Sequence, residues 1–143
     1  MKWQRPIACF VIAACCLARA QQPTTQPLLI DATDKAALQR AMGQEVTITG
    51  TISAAAWSRS GAVMNIDFAG AGNSRFFAVI FERNKESFNT AFSGDFGKTL
   101  VGAKVRLRGR LELYGGQQES FKGRPQIVLS RPDQVTVVEP ARH

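Results

Sequence analysis

The chain has 143 residues, 18 of them Lys or Arg and 11 Asp or Glu, so its formal net charge is +7. This length suits one domain. All three cysteines and three of the cations fall within residues 1–20, so residues 21–143 have no cysteine and a net charge of about +4. For that part the composition excludes disulfides, thiol catalysis and cysteine metal sites, and the charge is well below that of a strongly basic nucleic-acid binder.

Residues 1–20 have the pattern of a signal peptide. Lys2 and Arg5 precede an apolar run over residues 7–17, and Ala18-Arg19-Ala20 has the small-x-small form that a signal peptidase accepts. The run is roughly half as long as a membrane-spanning helix requires. The sequence therefore predicts cleavage after Ala20 and an exported, periplasmic or extracellular protein.

A second processing route remains open. The segment Ile12-Ala13-Ala14-Cys15 resembles the lipobox of bacterial lipoproteins, in which the cysteine is lipid-modified and becomes the new N-terminus. This resemblance implies a membrane-anchored lipoprotein attached through Cys15. Only in this alternative is a membrane a predicted partner.

Residues 21–33 are predicted to form a flexible leader, within which the folded part starts near Leu28. The segment "QQPTTQP" at 21–27 is polar, contains proline and has no hydrophobic period. The domain is predicted over 34–139 and a tail over 140–143. At its start, Asp34 is expected to cap a helix over residues 35–42 that ends at Gly43.

Beyond Gly43, apolar and polar residues alternate, which indicates strands. Five strands are predicted, at residues 44–57, 62–69, 75–82, 102–116 and 123–130. Residues 133–139 either finish the sheet or extend it. A helix is predicted at 85–92, followed by a loop over 93–102. The third strand is apolar on both faces, so we expect both faces to be covered.

Five strands with a helix between the third and the fourth are the order of an OB-fold barrel. The predicted fold class is therefore all-β with one or two short helices. Gly50 and Gly109 lie at the same offset, four residues after the inward-facing Val46 and Val105. Long strands of a small barrel bend sharply, and glycine relieves side-chain crowding at such corners. The similarity of the two segments is interpreted as a shared requirement for a sharp bend in a long strand.

The chain resembles small bacterial OB-fold domains of the nucleic-acid-binding, tRNA-anticodon-binding type, including exported stand-alone forms. The resemblance covers roughly residues 34–139. It rests on Gly43-x-x-Val46-x-Ile48-x-Gly50-x-Ile52, Phe77-x-Val79-x-Phe81, Gly102-x-x-Val105-x-Leu107-x-Gly109-x-Leu111 and "KGRPQIVLSRPDQVTVV" at 122–138. It implies a nucleic-acid-binding fold, although the hairpin "YGGQQESF" at 114–121 is longer than in that family. Folds of this kind also bind oligosaccharides and proteins.

The candidate binding residues are cations and aromatics, because OB-folds stack bases on aromatic rings while Lys and Arg neutralise phosphates. Trp57 is interpreted either as a stacking ring or as a ring that closes the barrel end. Phe68, Phe77 and Phe81 are interpreted as core residues. The predicted nucleic-acid-binding or anion-binding residues are Trp57, Arg59, Arg75, Arg106, Arg108, Arg110, Tyr114, Lys122 and Arg124.

The cations of the fourth strand, Lys104 and the three arginines 106, 108 and 110, share one face. One interpretation is a solvated face whose charges deter edge pairing. The other is contact with an anion, because the neighbouring strand presents threonines and no evident ion-pair partner. The fourth strand lies to one side of the surface on which OB ligands generally bind. The row is therefore also interpreted as steering an anion or meeting anionic lipid or polysaccharide.

No sequence pattern of a catalytic, cofactor or metal site occurs. The single histidine is His143, the last residue, and Asp67 and Glu82 are interpreted as solvated or salt-bridged. The predicted function is that of a non-enzymatic binding module for single-stranded nucleic acid or another polyanion, without cofactor or metal.

Two alternatives remain. One is an envelope adaptor that binds a protein or a glycan. Export favours the adaptor, because nucleic acid is scarce outside the cytoplasm, and an aromatic patch without adjacent cations would favour it further. The other is an accessory domain that acts with a separate nuclease chain.

Overall fold

The computed structural model describes residues 27–142. The predictions on the signal peptide, on Cys15, on residues 21–26 and on His143 lie outside this range. The strands are β1 (Leu28–Asp31), β2 (Glu45–Trp57), β3 (Val63–Phe68), β4 (Phe77–Phe81), β5 (Lys104–Arg110), β6 (Glu112–Leu113), β7 (Pro125–Leu129) and β8 (Val135–Glu139). The α-helices are α1 (Lys35–Arg40), α2 (Lys85–Ala91) and α3 (Phe96–Leu100). Between residues 27 and 142, no helix is long and apolar enough to cross a membrane.

The long strand β2 belongs to both halves of a curled sheet. Its first part pairs with β1 in parallel and with β5 in antiparallel orientation, and its last part pairs with β3. The sheet continues from β3 to β4 and, in parallel, from β4 to β7. Past Leu111, β5 leads into β6, which pairs with β7 and brings the sheet back on itself. This arrangement confirms the predicted OB-fold.

The five predicted strands correspond to β2, β3, β4, β5 and β7, and the segment 133–139 extends the sheet as β8. Of the two further strands, β1 is not predicted by the sequence, whereas β6 is the last part of the strand predicted over 102–116, which is interrupted at Leu111. β1 lies within the span 21–33 predicted as a flexible leader, and its first residue agrees with the prediction that the folded part starts near Leu28. Only Ile30 of its four residues is buried, and β6 has two residues, so neither shows a readable alternation.

The helix α1 begins as predicted, because the Asp34 carboxylate accepts a hydrogen bond from the Ala37 N–H at 3.1 Å. Gly43 follows with a φ of +83°. The helix α3, in contrast, occupies part of the segment predicted as a loop over 93–102, so this prediction is wrong. α3 has five residues, too few to show a helical period. The Asp95 carboxylate caps it by accepting a hydrogen bond from the Lys98 N–H at 3.3 Å.

Two glycines allow the strands of the barrel to pack closely. A Cβ atom on Gly50 would lie 2.9 Å from Cδ1 of Phe68, and one on Gly109 would lie 2.8 Å from Cγ2 of Ile127. Across the β2–β5 pair, Gly50 faces Val105 and Val46 faces Gly109. The prediction that crowding requires glycine at these two positions is confirmed.

Candidate nucleic-acid interface

A groove of about 530 Å³ lies on the outer face of β3, β4 and β7. Strand pairing explains its floor, because Asn65 faces Val79 and Val79 faces Val128 in the register. Paired residues share a face of the sheet, so these side chains point away from the barrel interior. On the β2 side, the small Ala56 is the partner of Asn65 and leaves the groove open.

The loop after β6 forms one wall of the groove. Tyr114 and Phe121 pack on the outer face of Phe77, with ring centroids 6.1 and 5.1 Å from it. Phe77 is completely buried beneath them, so β4 is covered on both faces as predicted. The Tyr114 hydroxyl accepts a hydrogen bond from the Gln118 N–H at 3.4 Å. Tyr114 and Phe121 stay half-buried, and their rings line the groove.

Arg124 packs within this wall and does not line the groove. Its guanidinium lies over the rings of both Phe77 and Phe121, at 4.4 and 4.8 Å from the ring centroids. Nε donates to the backbone carbonyl of Arg75 at 2.9 Å, and one terminal nitrogen lies 3.4 Å from the Asp67 carboxylate. The side chain is only 18% exposed, and two of its five N–H donors have partners among the described residues, the Arg75 carbonyl and the Asp67 carboxylate.

The two other predicted cations at this end also have protein partners. Arg75 donates to the backbone carbonyl of Ser120 at 3.1 Å, which ties the loop to the sheet. Lys122 forms an ion pair with Glu119 on the same 3₁₀ turn. Both residues are exposed at the surface, so their charge still contributes to the field at this end of the groove.

At the opposite end, Trp57 does not line the groove. It faces Met64 across the β2–β3 pair, on the inner side of the sheet, and packs against the core while half-buried. Nζ of Lys85 lies 5.1 Å from its ring. The barrel-end interpretation of Trp57 therefore agrees with its position. Arg59 is exposed on the turn between β2 and β3.

The groove also contains residues that the sequence analysis did not select. Phe81, interpreted there as core, is half-buried and lines the groove, with the Arg83 guanidinium 5.0 Å from its ring. The amide side chains of Asn65, Gln118 and Gln126 also line it. Asn65 had a sequence signal, since it alternates with the apolar residues of β3. Phe121 and Gln118 had none, because they lie in an irregular loop.

Charge is unevenly distributed around the groove. In the described part of the chain, no Lys or Arg lines it, whereas the carboxylate of Glu112 does. Arg59 and Arg83 belong to the segments at the Phe81 end, and Arg75 and Lys122 lie at the other end. The groove is therefore aromatic and amide-rich along its length, with cations near its ends.

The arginine row lies on the other half of the sheet. β5 is paired on both sides, with β2 and with β8, so the interpretation that its charges deter edge pairing is wrong. Arg106 lies between Thr49 and Thr136. The expectation that the row lacks ion-pair partners is wrong for Arg108, whose Nε is 3.4 Å from the Glu45 carboxylate. Lys104, Arg106, Arg108 and Arg110 are all exposed.

Asp31 adds a negative charge to this half of the sheet. Hydrogen bonds from the Thr33 hydroxyl and N–H, at 2.6 and 2.9 Å, lower the pKa of Asp31, and Lys104 adds to this effect.

The structure divides the predicted site residues into two separate groups, one around the groove and one on β5. Within residues 27–142 there is no cluster of three or more His, Cys, Asp or Glu that could hold a metal ion.

No protein-family model matches the sequence, and no curated protein sequence matches it. Solved structures do match. A protein described as an aspartyl-tRNA synthetase from Leishmania major Friedlin superposes with a TM-score of 0.55 and 12% identity, over 86% of this chain and 23% of that one. At this identity the likeness shows the fold alone. An aspartyl tRNA synthetase from Entamoeba histolytica gives a TM-score of 0.49 and 14% identity, over 78% of this chain. The chain spans less than a quarter of the length of either protein, 23% and 22%.

Proposed function

We propose that this OB-fold domain binds single-stranded nucleic acid in the groove over β3, β4 and β7. The observation that carries the proposal is the set of half-buried rings, Phe81, Tyr114 and Phe121, in one groove on an OB-fold. The face of the strands equivalent to β3 and β4, together with the loops beside it, is where this fold binds oligonucleotides. The structural neighbour with the same fold is named for tRNA, which agrees with a nucleic-acid ligand.

In this proposal the three rings supply stacking surfaces for successive bases. Stacking tolerates any base, because every base has a π-face. The amides of Asn65, Gln118 and Gln126 offer donors and acceptors to base edges. The phosphates of the same strand would meet the exposed cations near the two ends, Arg59 and Arg83 at one and Lys122 at the other.

Replacing Tyr114 by alanine is expected to weaken the binding of fluorescent oligothymidine about 5- to 150-fold, because base stacking contributes about 1–3 kcal/mol per ring. Fluorescence anisotropy across a salt series measures this effect. We also expect the affinity of the unaltered protein to fall as salt rises, because cations near the groove ends release counterions from the phosphates.

The matched control is Tyr114→Phe, which keeps the ring and removes only the hydroxyl contact with the Gln118 N–H. Its affinity for oligothymidine should stay close to that of the unaltered protein. Equal losses in the two variants would contradict stacking on Tyr114. Absence of salt-sensitive binding by the unaltered protein would contradict nucleic-acid binding altogether.

One observation favours a second candidate, the adaptor that binds a protein or a glycan. Among the described residues, the groove has no cation along its length and contains the Glu112 carboxylate. A neutral ligand would therefore meet less electrostatic opposition there than a phosphodiester chain. Binding of a neutral oligosaccharide that does not change with salt and is lost in Tyr114→Ala would identify this function.

We further propose that the domain is exported, on the strength of the signal-peptide pattern in residues 1–20. Expression in a bacterial host, followed by mass spectrometry of the intact protein, tests this proposal. The expected mature protein begins at Gln21 and is found outside the cytoplasm. A product beginning at an acylated Cys15 would establish the lipoprotein route instead, and an uncleaved cytoplasmic chain would contradict export.

A further inference from the structure

A second concave site lies where β5 meets the turn before β8, on the half of the sheet that carries the arginine row. This cleft has a volume of about 370 Å³ and is lined by three arginines, Arg108, Arg110 and Arg131. Glu45, Gly109, Asp133 and Gln134 complete its lining. Arg131 is not part of the row, and the fold brings it to the two last arginines of β5.

The side chain of Gln134 holds the two parts of the cleft together. Its Oε1 accepts hydrogen bonds from the N–H groups of Ser130 and Arg131, at 2.8 and 2.9 Å. Its Nε2 donates to the backbone carbonyl of Arg108 at 3.0 Å. The turn that carries Arg131 is thereby fixed against the strand that carries Arg108.

The arginines keep free donors in this arrangement. Nε of Arg108 lies 3.4 Å from the Glu45 carboxylate, and Nε of Arg131 lies 3.4 Å from the Asp133 carboxylate. Between residues 27 and 142, the terminal nitrogens of Arg108 and Arg131 make no hydrogen bond, and Arg110 makes neither an ion pair nor a side-chain hydrogen bond. Three cations against two carboxylates leave the cleft with a net positive charge.

We propose that this cleft binds a phosphate group, as a phosphate monoester or as one unit of a phosphodiester. Guanidinium groups present paired N–H donors that match the oxygens of phosphate, and such charge-assisted hydrogen bonds are stronger than neutral ones. Glu45 and Asp133 lie near only the Nε atoms of Arg108 and Arg131, so the terminal donors of both guanidinium groups remain for the ligand. The cleft shares no lining residue with the groove. Phosphate binding in the cleft therefore does not depend on nucleic-acid binding in the groove.

Titration of the ¹⁵N-labelled protein with inorganic phosphate, beside sodium chloride of equal ionic strength, tests the proposal. We expect phosphate, and not chloride, to shift the amide signals of Gly109 and Gln134. In the double variant Arg110→Gln, Arg131→Gln, the affinity for phosphate should fall about tenfold or more, the loss expected for at least one charge-assisted hydrogen bond. Equal shifts with chloride would overturn the proposal.

The double variant Lys104→Gln, Arg106→Gln is the matched control, because it also removes two exposed cations of this face, both outside the cleft. It should leave phosphate binding nearly unchanged. A loss as large as that of the Arg110→Gln, Arg131→Gln variant would show that only the general charge of the face matters, and would overturn the cleft. Thermal unfolding of each variant confirms that it is folded.

A third variant gives a change in the opposite direction. Glu45→Gln removes a carboxylate that competes with the ligand for Arg108, so its affinity for phosphate should rise, while an unchanged or lower affinity would contradict the proposal. Oligothymidine with and without a 5′-phosphate, and vesicles with anionic phospholipid, then distinguish the source of the group. If the cleft binds the phosphate group, the probe that binds tightest should lose affinity in the Arg110→Gln, Arg131→Gln variant. A probe that keeps its affinity in this variant binds elsewhere.

Discussion

Phe96→Ala is expected to lower the free energy of unfolding by about 3–5 kcal/mol, the usual loss when a buried phenylalanine is truncated. Phe96 is 1% exposed at the start of α3. Its ring packs edge-on against Phe88 of α2 and against Phe92, with centroids 5.3 and 5.1 Å away. Small domains are stable by about 5–15 kcal/mol, so this change removes a large share of the total. Urea denaturation followed by circular dichroism measures it.

Val101→Ala is the control for this experiment. Val101 follows α3 directly but is 38% exposed, so its truncation should change stability by about 0.5 kcal/mol or less. Similar losses in the two variants would contradict the burial of Phe96 against Phe88 and Phe92. The prediction also tests an element that the sequence did not indicate, since α3 lies in the segment read as a loop.

Gly109→Val is expected to destabilise the domain by about 1–3 kcal/mol, through overpacking. The new Cβ would lie 2.8 Å from Cγ2 of Ile127, a residue that is fully buried. Because Cγ2 is bonded directly to the Cβ of Ile127, it has little freedom to move away. The new Cβ would also lie 3.3 Å from Nε2 of Gln134, the atom that bonds the Arg108 carbonyl. A shift of Gln134 would also loosen the turn that carries Arg131. Differential scanning calorimetry gives the stability change.

Gly72→Ala provides the comparison for Gly109. A Cβ on Gly72 has open space around it, and its φ lies outside the left-handed region. We therefore expect this change to be neutral or slightly stabilising, because alanine restricts the unfolded chain. If Gly109→Val were as harmless as Gly72→Ala, the close approach of β5 to β7 would not hold in solution.

The strands of this fold could be predicted from sequence because a strand with one buried face alternates apolar and polar residues along the chain. In β5 the buried Val105 and Leu107 alternate with exposed cations, so both faces can be assigned from the residues alone. The crowded positions of Gly50 and Gly109 could also be predicted, because each glycine lies four residues after an inward-facing valine of the same strand. Short or irregular elements have no such alternation, and this explains why β1 and α3 differ from the predictions.

The candidate site was predictable only in part, because most of it depends on contacts between distant segments. Tyr114 was selected by its place at a strand end, and it does line the groove. Phe81 was assigned to the core because apolar residues of strands are usually buried. Its partial exposure follows from its place on the outer face of β4, at the end away from the loop that covers Phe77. Likewise, Arg124 appears as a free cation in the sequence, and its contact with the rings of Phe77 and Phe121 depends on tertiary packing.

The parallel pairing of β4 with β7 has a consequence for the time course of folding. Residues 77–80 meet residues 126–129, and the whole of α2, α3, β5 and β6 lies between the two strands in the chain. A nascent chain that ends before β7 exposes the unpaired edge of β4, its most apolar strand. Folding of the barrel must therefore wait until nearly all of the chain has emerged. Such non-local pairing favours slow folding, on the millisecond-to-second scale.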